Sequence, residues 1–485
     1  MSPNELLWAD SEVYHRRFEK SAVALIAVHR ALSADRQLCE GIDEFLHLYE
    51  WVACADPNHF TQVWRDPGAY FWTRRAVHFL ASCRGEPLGT VEREYCAEVR
   101  ANSPVEALAH HLGEFKRFAL ALGIIGGKDI SFSEPYEASL PLAIPGTPLV
   151  IMGDTHATIV GFSHGSLEVL NPRRLLPISD KGSTGNGLRI EACPTISCDD
   201  VNVFLNPATF HLPGLGIPGA WTHLPLSFQF EHAGLVTEAL AAIRMYQPWT
   251  FSHLAAGLHT IGLKPHDELL FNVTASELPG SFVCSVPTDP YLLASSFIHE
   301  FHHNTLFGLE EQGPFFEAGG QDEQDEIEGE NHYSPWVATL RPLHGILHAV
   351  YVFLPVFRFW NAIARDISLD ETRHAFAREQ LARIPVQLQI GINQLRRHAK
   401  LTPFGSMLLD AMTAESARFQ EETRMMGVTL KTPVIGIAAS GAFQPLMRKG
   451  KHVTVGETLL EHLEASDVYG ECAEEKGLLA RAMNH

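Results

Sequence analysis

The sequence predicts an α+β protein, predominantly helical, with a β-rich middle layer and a helical metal-binding core. Three observations predict it. Apolar residues recur at helical three- and four-residue spacing through the first 125 residues and again beyond residue 290. Between Asp129 and about Asn206, short runs of Val, Ile, Leu and Phe are separated by Gly, Pro, Asn and Ser, as in a sheet. A histidine-rich pentad then sits inside one of the late helical patterns.

Taken in order, the spacing predicts helices over Ser11–Ala34, Gln37–Val52, Ala69–Ser82 and Pro104–Leu122, with a break at Gly123–Gly127. Strands are expected at Thr147–Gly153, Ala157–Phe162 and Leu188–Ala192. The Gly-rich run Lys181–Gly187 lacks the lysine-serine ending of a phosphate loop and reads as a hairpin tip. Helical spacing resumes at Glu231–Met245, a strand follows at Gly280–Val286, and then come helices Pro290–Leu309, Pro342–Asp366, Asp370–Leu401 and Thr402–Met426. The tail holds strands at Pro433–Ala438 and His452–Val455 around a basic turn. This divides the chain into an N-terminal helical region (1–125), a β-rich region (126–285), a helical core (286–430) and a tail (431–485). No repeat or low-complexity linker separates them, so one integrated unit is expected.

Composition narrows the function. Of 485 residues, 46% are hydrophobic and 19% charged, which excludes disordered, collagenous and disulfide-dense classes. A net charge of −20 disfavours nonspecific binding to nucleic acid or anionic lipid. The 8 cysteines are too sparse and irregular for a disulfide framework or zinc ribbon, so a reducing, cytoplasmic compartment is expected. The longest clean apolar run near the middle of the chain, Ala349–Phe357, is too short to span a bilayer, and no membrane is expected as a partner. Composition leaves the oligomeric state open.

The chemistry sits in His299-Glu300-Phe301-His302-His303, an HExxH pentad on a helix that Thr288-Asp289-Pro290 would start. Residues four apart share a helix face, which suits two imidazole nitrogens on one metal ion, with Glu300 beside a bound water. With 26 histidines, a histidine-acid-x-x-histidine string arises by chance about 0.16 times, so the pentad needs support. His302 could also pair with His299. The next helix offers a second pair at the same spacing, His344 and His348, after Arg341-Pro342. His348 is the expected third ligand and His344 the alternate. The metzincin pattern fails, because position 309 is leucine. A glutamate ligand would have to come from Glu323–Glu330, a Gly- and charge-rich stretch that reads as a solvated loop.

The segments Gly280–Val286, Leu293–His303, Tyr333–Trp336 and Arg341–Ala349 resemble the HExxH-motif domain proteins encoded beside ribosomally made peptide natural products. Weaker likeness extends to Asp66-Pro67 with Trp72 and to Leu401-Thr402 with Gly405. The resemblance implies an iron(II)- and 2-oxoglutarate-dependent dioxygenase that hydroxylates a side-chain β-carbon of a precursor peptide. On matching positions it implies His299, His303 and His348 as iron ligands. Arg341 is the candidate for the 2-oxoglutarate carboxylate, since a guanidinium pairs bidentately with a carboxylate. Glu300 would then orient a ligand or water. Two alternatives remain open: a zinc metallopeptidase with Glu300 as general base, and a non-enzymatic peptide-binding scaffold.

Overall fold

The computed structural model describes residues 7, 12–153, 156–170, 174–178, 183–185, 188–217, 219–265, 272–317, 332–336, 340–428, 445–448 and 451–454. It is α+β and mostly helical, as expected. Contacts divide the chain into two compact units. One comprises Ser11–Arg244 and Trp249–Asn304; the other comprises Thr305–His485 with Met1–Asp10 and Met245–Pro248. The helix that carries the pentad, Pro290–Glu310, passes from the first unit into the second.

The first unit begins with helices Glu12–Ala34, Ile42–Ala53, Pro57–Trp64, Pro67–Ser82, Thr90–Val99, Pro104–Gly113 and Lys116–Gly126. Three of them start with proline after a capping side chain: Asp56 accepts from the Asn58 N–H, Asp66 from Gly68 and Ser103 from Glu106. Glu106 in turn accepts from the N–H of Asn102, the residue before the cap. The helices enclose a core of Phe45, Trp64, Trp72, Phe115 and Phe118. Trp72 donates its indole N–H to the His111 carbonyl, and the His111 Nε2–H donates to the Trp72 carbonyl, both at 2.8 Å. Burial keeps this imidazole neutral, pushing it well below the usual histidine range.

The expected helix Pro104–Leu122 is broken in two. Tight three-residue bonds, Glu114 N–H to His111 O and Phe115 N–H to Leu112 O, turn the chain where the His111 carbonyl also receives the Trp72 indole. The expected helix at Gln37 starts later, at Ile42, after Gly41 adopts φ 79°.

The β-rich layer consists of two antiparallel four-stranded sheets. One orders Ile130–Ser139, His156–Ser163, Ser166–Leu170 and Arg174–Pro177; the other orders Leu142–Ala143, Leu149–Met152, Leu188–Ala192 and Ser183–Gly185. The Gly-rich run thus supplies a hairpin strand, with Gly185 opposite Leu188.

A third sheet positions the site. Thr195–Cys198 pairs antiparallel with Val201–Leu205, which runs parallel to Thr260–Lys264, and that strand runs parallel to Ser281–Ser285. Parallel neighbours require long crossovers. Helices Leu226–Tyr246 and Pro248–Gly257 fill the first, and the chain leaving Ser281–Ser285 enters the pentad helix. Both parallel strands after the crossover are buried along their whole length, as strands covered on two faces are.

The second unit holds three long helices, Leu343–Ala364, Glu371–His398 and Pro403–Met425. Thr402 and Asp370 cap the latter two. Gly391 permits close packing of the first pair: a Cβ there would lie 2.6 Å from Val350. Arg358 on the first helix reaches Glu415 on the third, Nε to Oε1 at 2.9 Å. The Leu343–Ala364 helix is long and apolar enough to cross a membrane by length and composition, a property that its short uninterrupted runs conceal. Its most apolar window is 78% buried within the protein, as a core helix would be. Strands Pro445–Arg448 and Lys451–Thr454 pair antiparallel, with Arg448 opposite Lys451, while the expected strand Pro433–Ala438 lies outside the described residues.

Candidate metal centre

The pentad helix starts where the sequence places it. Asp289 accepts from the Tyr291 and Leu292 N–H groups, and Pro290 occupies the first turn. One face packs on the preceding strand. Phe297 meets Phe282 at 5.4 Å between ring centres. The fully buried Asn304 accepts from the Gly280 N–H and donates to the Ser281 carbonyl. Phe301 stacks on Tyr14 at 5.1 Å.

Glu300 belongs to this buried face. The Thr274 hydroxyl donates to its Oε2 at 2.7 Å, while its Oε1 lies 3.8 Å from Nε2 of His299. Burial raises the carboxyl to about 7, against the opposing hydrogen bonds from Thr274 and Asn272. His302 also points inward: its Nδ1–H donates to the Ile298 carbonyl at 2.7 Å, and burial lowers it to about 3. It is therefore His303, one residue on, that partners His299.

The half-buried stripe of the same helix runs through Leu292, Ser296, His299, His303, Phe307 and Glu310. On it the Nε2 atoms of His299 and His303 lie 3.2 Å apart. An ion at about 2.0 to 2.1 Å from both would see them at an angle of about 100°, between octahedral and tetrahedral values. Without an ion, the same separation is that of one imidazole donating to the other.

His348 belongs to the second unit, and so does a group absent from the sequence-based ligand set. Glu310 Oε1 lies 2.7 Å from Nε2 of His344 and 3.6 Å from Nε2 of His348. One ligand atom from each of the three lies within 4.8 Å of the others. Phe307 and Phe316 flank the imidazoles, with ring centres 4.9 Å from His348 and 6.2 Å from His344. Burial alone would raise Glu310, but the hydrogen bond from His344 and the imidazole of His348 close by hold it at about 2. Burial lowers His348, which favours the neutral imidazole that a metal requires. The signal for Glu310 lay in the sequence: it follows His299 by eleven residues, three helical turns on the same stripe. The stretch 323–330, considered for a glutamate ligand, lies outside the described residues.

Arg341 pairs with His332 in a two-residue ladder just before the Leu343–Ala364 helix. Its stem lies against Gly345, where a Cβ would sit 3.7 Å from Arg341 Cβ. Burial lowers its pKa, and among the described residues no carboxylate opposes that effect. No family model matches this chain, and no curated protein matches it either.

Proposed function

We propose that this protein is an iron(II)/2-oxoglutarate-dependent oxygenase that hydroxylates the β-carbon of a residue in a ribosomally made precursor peptide in a reducing cytoplasm. The observation that carries the reading is the 3.2 Å separation of the His299 and His303 Nε2 atoms, a spacing that two ligands of one ion share. The proposed third iron ligand, His348, is supplied by the resemblance alone. The family resemblance of the middle segments selects iron over zinc and supplies the peptide substrate.

The residues fit the cosubstrate. Arg341 is a half-buried cation with no carboxylate partner among the described residues, so a dianion would compensate its lost hydration. Neutral imidazole ligands leave the iron site positive, which also favours that dianion. When bound, iron would supply activation of dioxygen. The protein would hold the cosubstrate at Arg341 and keep Glu300 fixed by Thr274 beside His299.

The test uses the full chain, purified without oxygen, loaded with Fe(II) and mixed with 2-oxoglutarate, dioxygen and each peptide encoded beside it. Succinate and a one-oxygen mass gain are expected, and His303→Ala loses both. Iron-loaded protein that yields neither with any such peptide overturns the reading.

A zinc peptidase is the second reading, favoured by Glu300, whose pKa of about 7 suits a general base at neutral pH. Glu300→Gln separates the two. The amide still accepts from Thr274, so metal binding persists; a peptidase loses cleavage by a factor of at least about 100, whereas an oxygenase keeps measurable hydroxylation.

A further inference from the structure

We infer that Glu310, His344 and His348 form a site for a first-row divalent transition ion in their own right. This departs from the oxygenase reading: it takes His348 as a ligand of a different ion, since one imidazole nitrogen cannot serve both, and it requires neither His299 nor His303. Two imidazoles and one carboxylate are the donor set of the facial triad that binds iron(II) and leaves coordination positions open.

The geometry is close to that arrangement. Ligand atoms in adjacent positions about 2.0 to 2.2 Å from one ion lie about 3 Å apart. The Glu310–His344 separation of 2.7 Å and the Glu310–His348 separation of 3.6 Å bracket that value. The His344–His348 edge, at most 4.8 Å, would close slightly on the ion. His344 and His348 stand one turn apart on a single helix, with ring centres 4.4 Å apart, so no backbone rearrangement is needed to aim both. Phe307 and Phe316 provide an apolar wall that strengthens charge–ligand interactions inside it. Without an ion, Glu310 would serve only as hydrogen-bond acceptor for His344. A surface ion pair has that role, but here one imidazole is buried and the other two groups are half-buried.

The experiment titrates Co(II) into metal-free full-length protein under anaerobic conditions, reading the visible ligand-field bands and the stoichiometry. The decisive background is the double variant His299→Ala/His303→Ala, which removes the pentad pair and leaves the triad whole. One Co(II) per chain is expected to bind there. Adding Glu310→Gln or His344→Gln should weaken it by at least about 100-fold, since even outer-sphere partners contribute 10- to 100-fold. Circular dichroism and the melting transition establish that each variant is folded, and the two independent substitutions guard against one of them failing to fold. No Co(II) binding in the folded double variant overturns the inference, as does binding that survives Glu310→Gln and His344→Gln. Because this background lacks the pentad histidines, its outcome is independent of whether the native protein makes succinate.

Discussion

Arg341 illustrates how a single side chain can carry a functional expectation. A guanidinium that loses hydration with no carboxylate beside it among the described residues is costly to hold, and the cost falls when an anionic ligand arrives. If that anion is 2-oxoglutarate, Arg341→Ala should raise its KM by roughly 10- to 100-fold while leaving iron stoichiometry unchanged. Arg341→Lys should recover only part of the loss, because an ammonium keeps the charge but not the paired donors. Steady-state succinate formation against 2-oxoglutarate concentration measures both, and an unchanged KM in Arg341→Ala would remove this residue from the site. At this scale the sequence was informative where spacing alone decides proximity. His299 and His303 are four apart on one helix, and they meet. It was silent where direction matters: nothing in the letters says that His302 turns back to Ile298, or that Glu300 is held by a threonine 26 residues upstream.

The pentad helix depends on ties at its start and along its buried face. Replacing Asp289 with alanine removes the acceptor for two first-turn N–H groups and should cost about 1 kcal/mol, read as a lower urea midpoint. Asn304→Leu keeps the branched shape but strands the Gly280 N–H and removes the bond to the Ser281 carbonyl inside a fully buried contact. It should cost about 2 kcal/mol or more and loosen the helix against its strand. A smaller effect for Asn304→Leu than for Asp289→Ala, in the same urea titration, would show that the strand contact does not hold this helix. Both residues could be noticed in advance to different degrees. The Asp-Pro pair announces a helix start by local chemistry alone, and the observed start agrees. Asn304 looks like any helix residue until the strand at Ser281 is placed beside it. Locality also explains which elements escaped the periodicity: Pro57–Trp64 and Thr90–Val99 span only two or three turns, too few for a pattern to repeat. Thr260–Lys264 is buried on both faces and shows no alternation to detect. The three long helices after residue 340 repeat their pattern many times, and their expected ends lie within a few residues of those observed.

At the scale of the whole first unit, histidine content becomes a property of stability. His211 and His259 are each lowered by burial to about 4, with His223 adding to the effect on the former and Arg65 on the latter. His111 lies well below its usual value and His302 falls to about 3, again mainly through burial. Each folded-state pKa is below that of the unfolded chain, so between pH 6.5 and about 4 the unfolded state takes up the proton that the folded state refuses. Stability from these groups is complete above pH 6.5 and is lost as the pH falls through that interval. Glu300 acts in the opposite sense, because a carboxyl raised to about 7 is protonated first in the folded state and gains stability on acidification. Asp66, also raised by burial, acts in the same sense as Glu300, and among the described residues of this unit four lowered imidazoles against these two carboxyls leave a net destabilisation. Glu44, lowered through its bond with Lys116 despite burial, titrates below 4.5 and falls largely outside this interval. Urea midpoints measured from pH 7 to pH 5 should therefore decline. His259→Gln should flatten the decline by close to one proton, a share worth about 3 kcal/mol over the full interval. Identical slopes for the two proteins would mean that His259 is already protonated in the fold, and that the buried histidines do not set its acid limit.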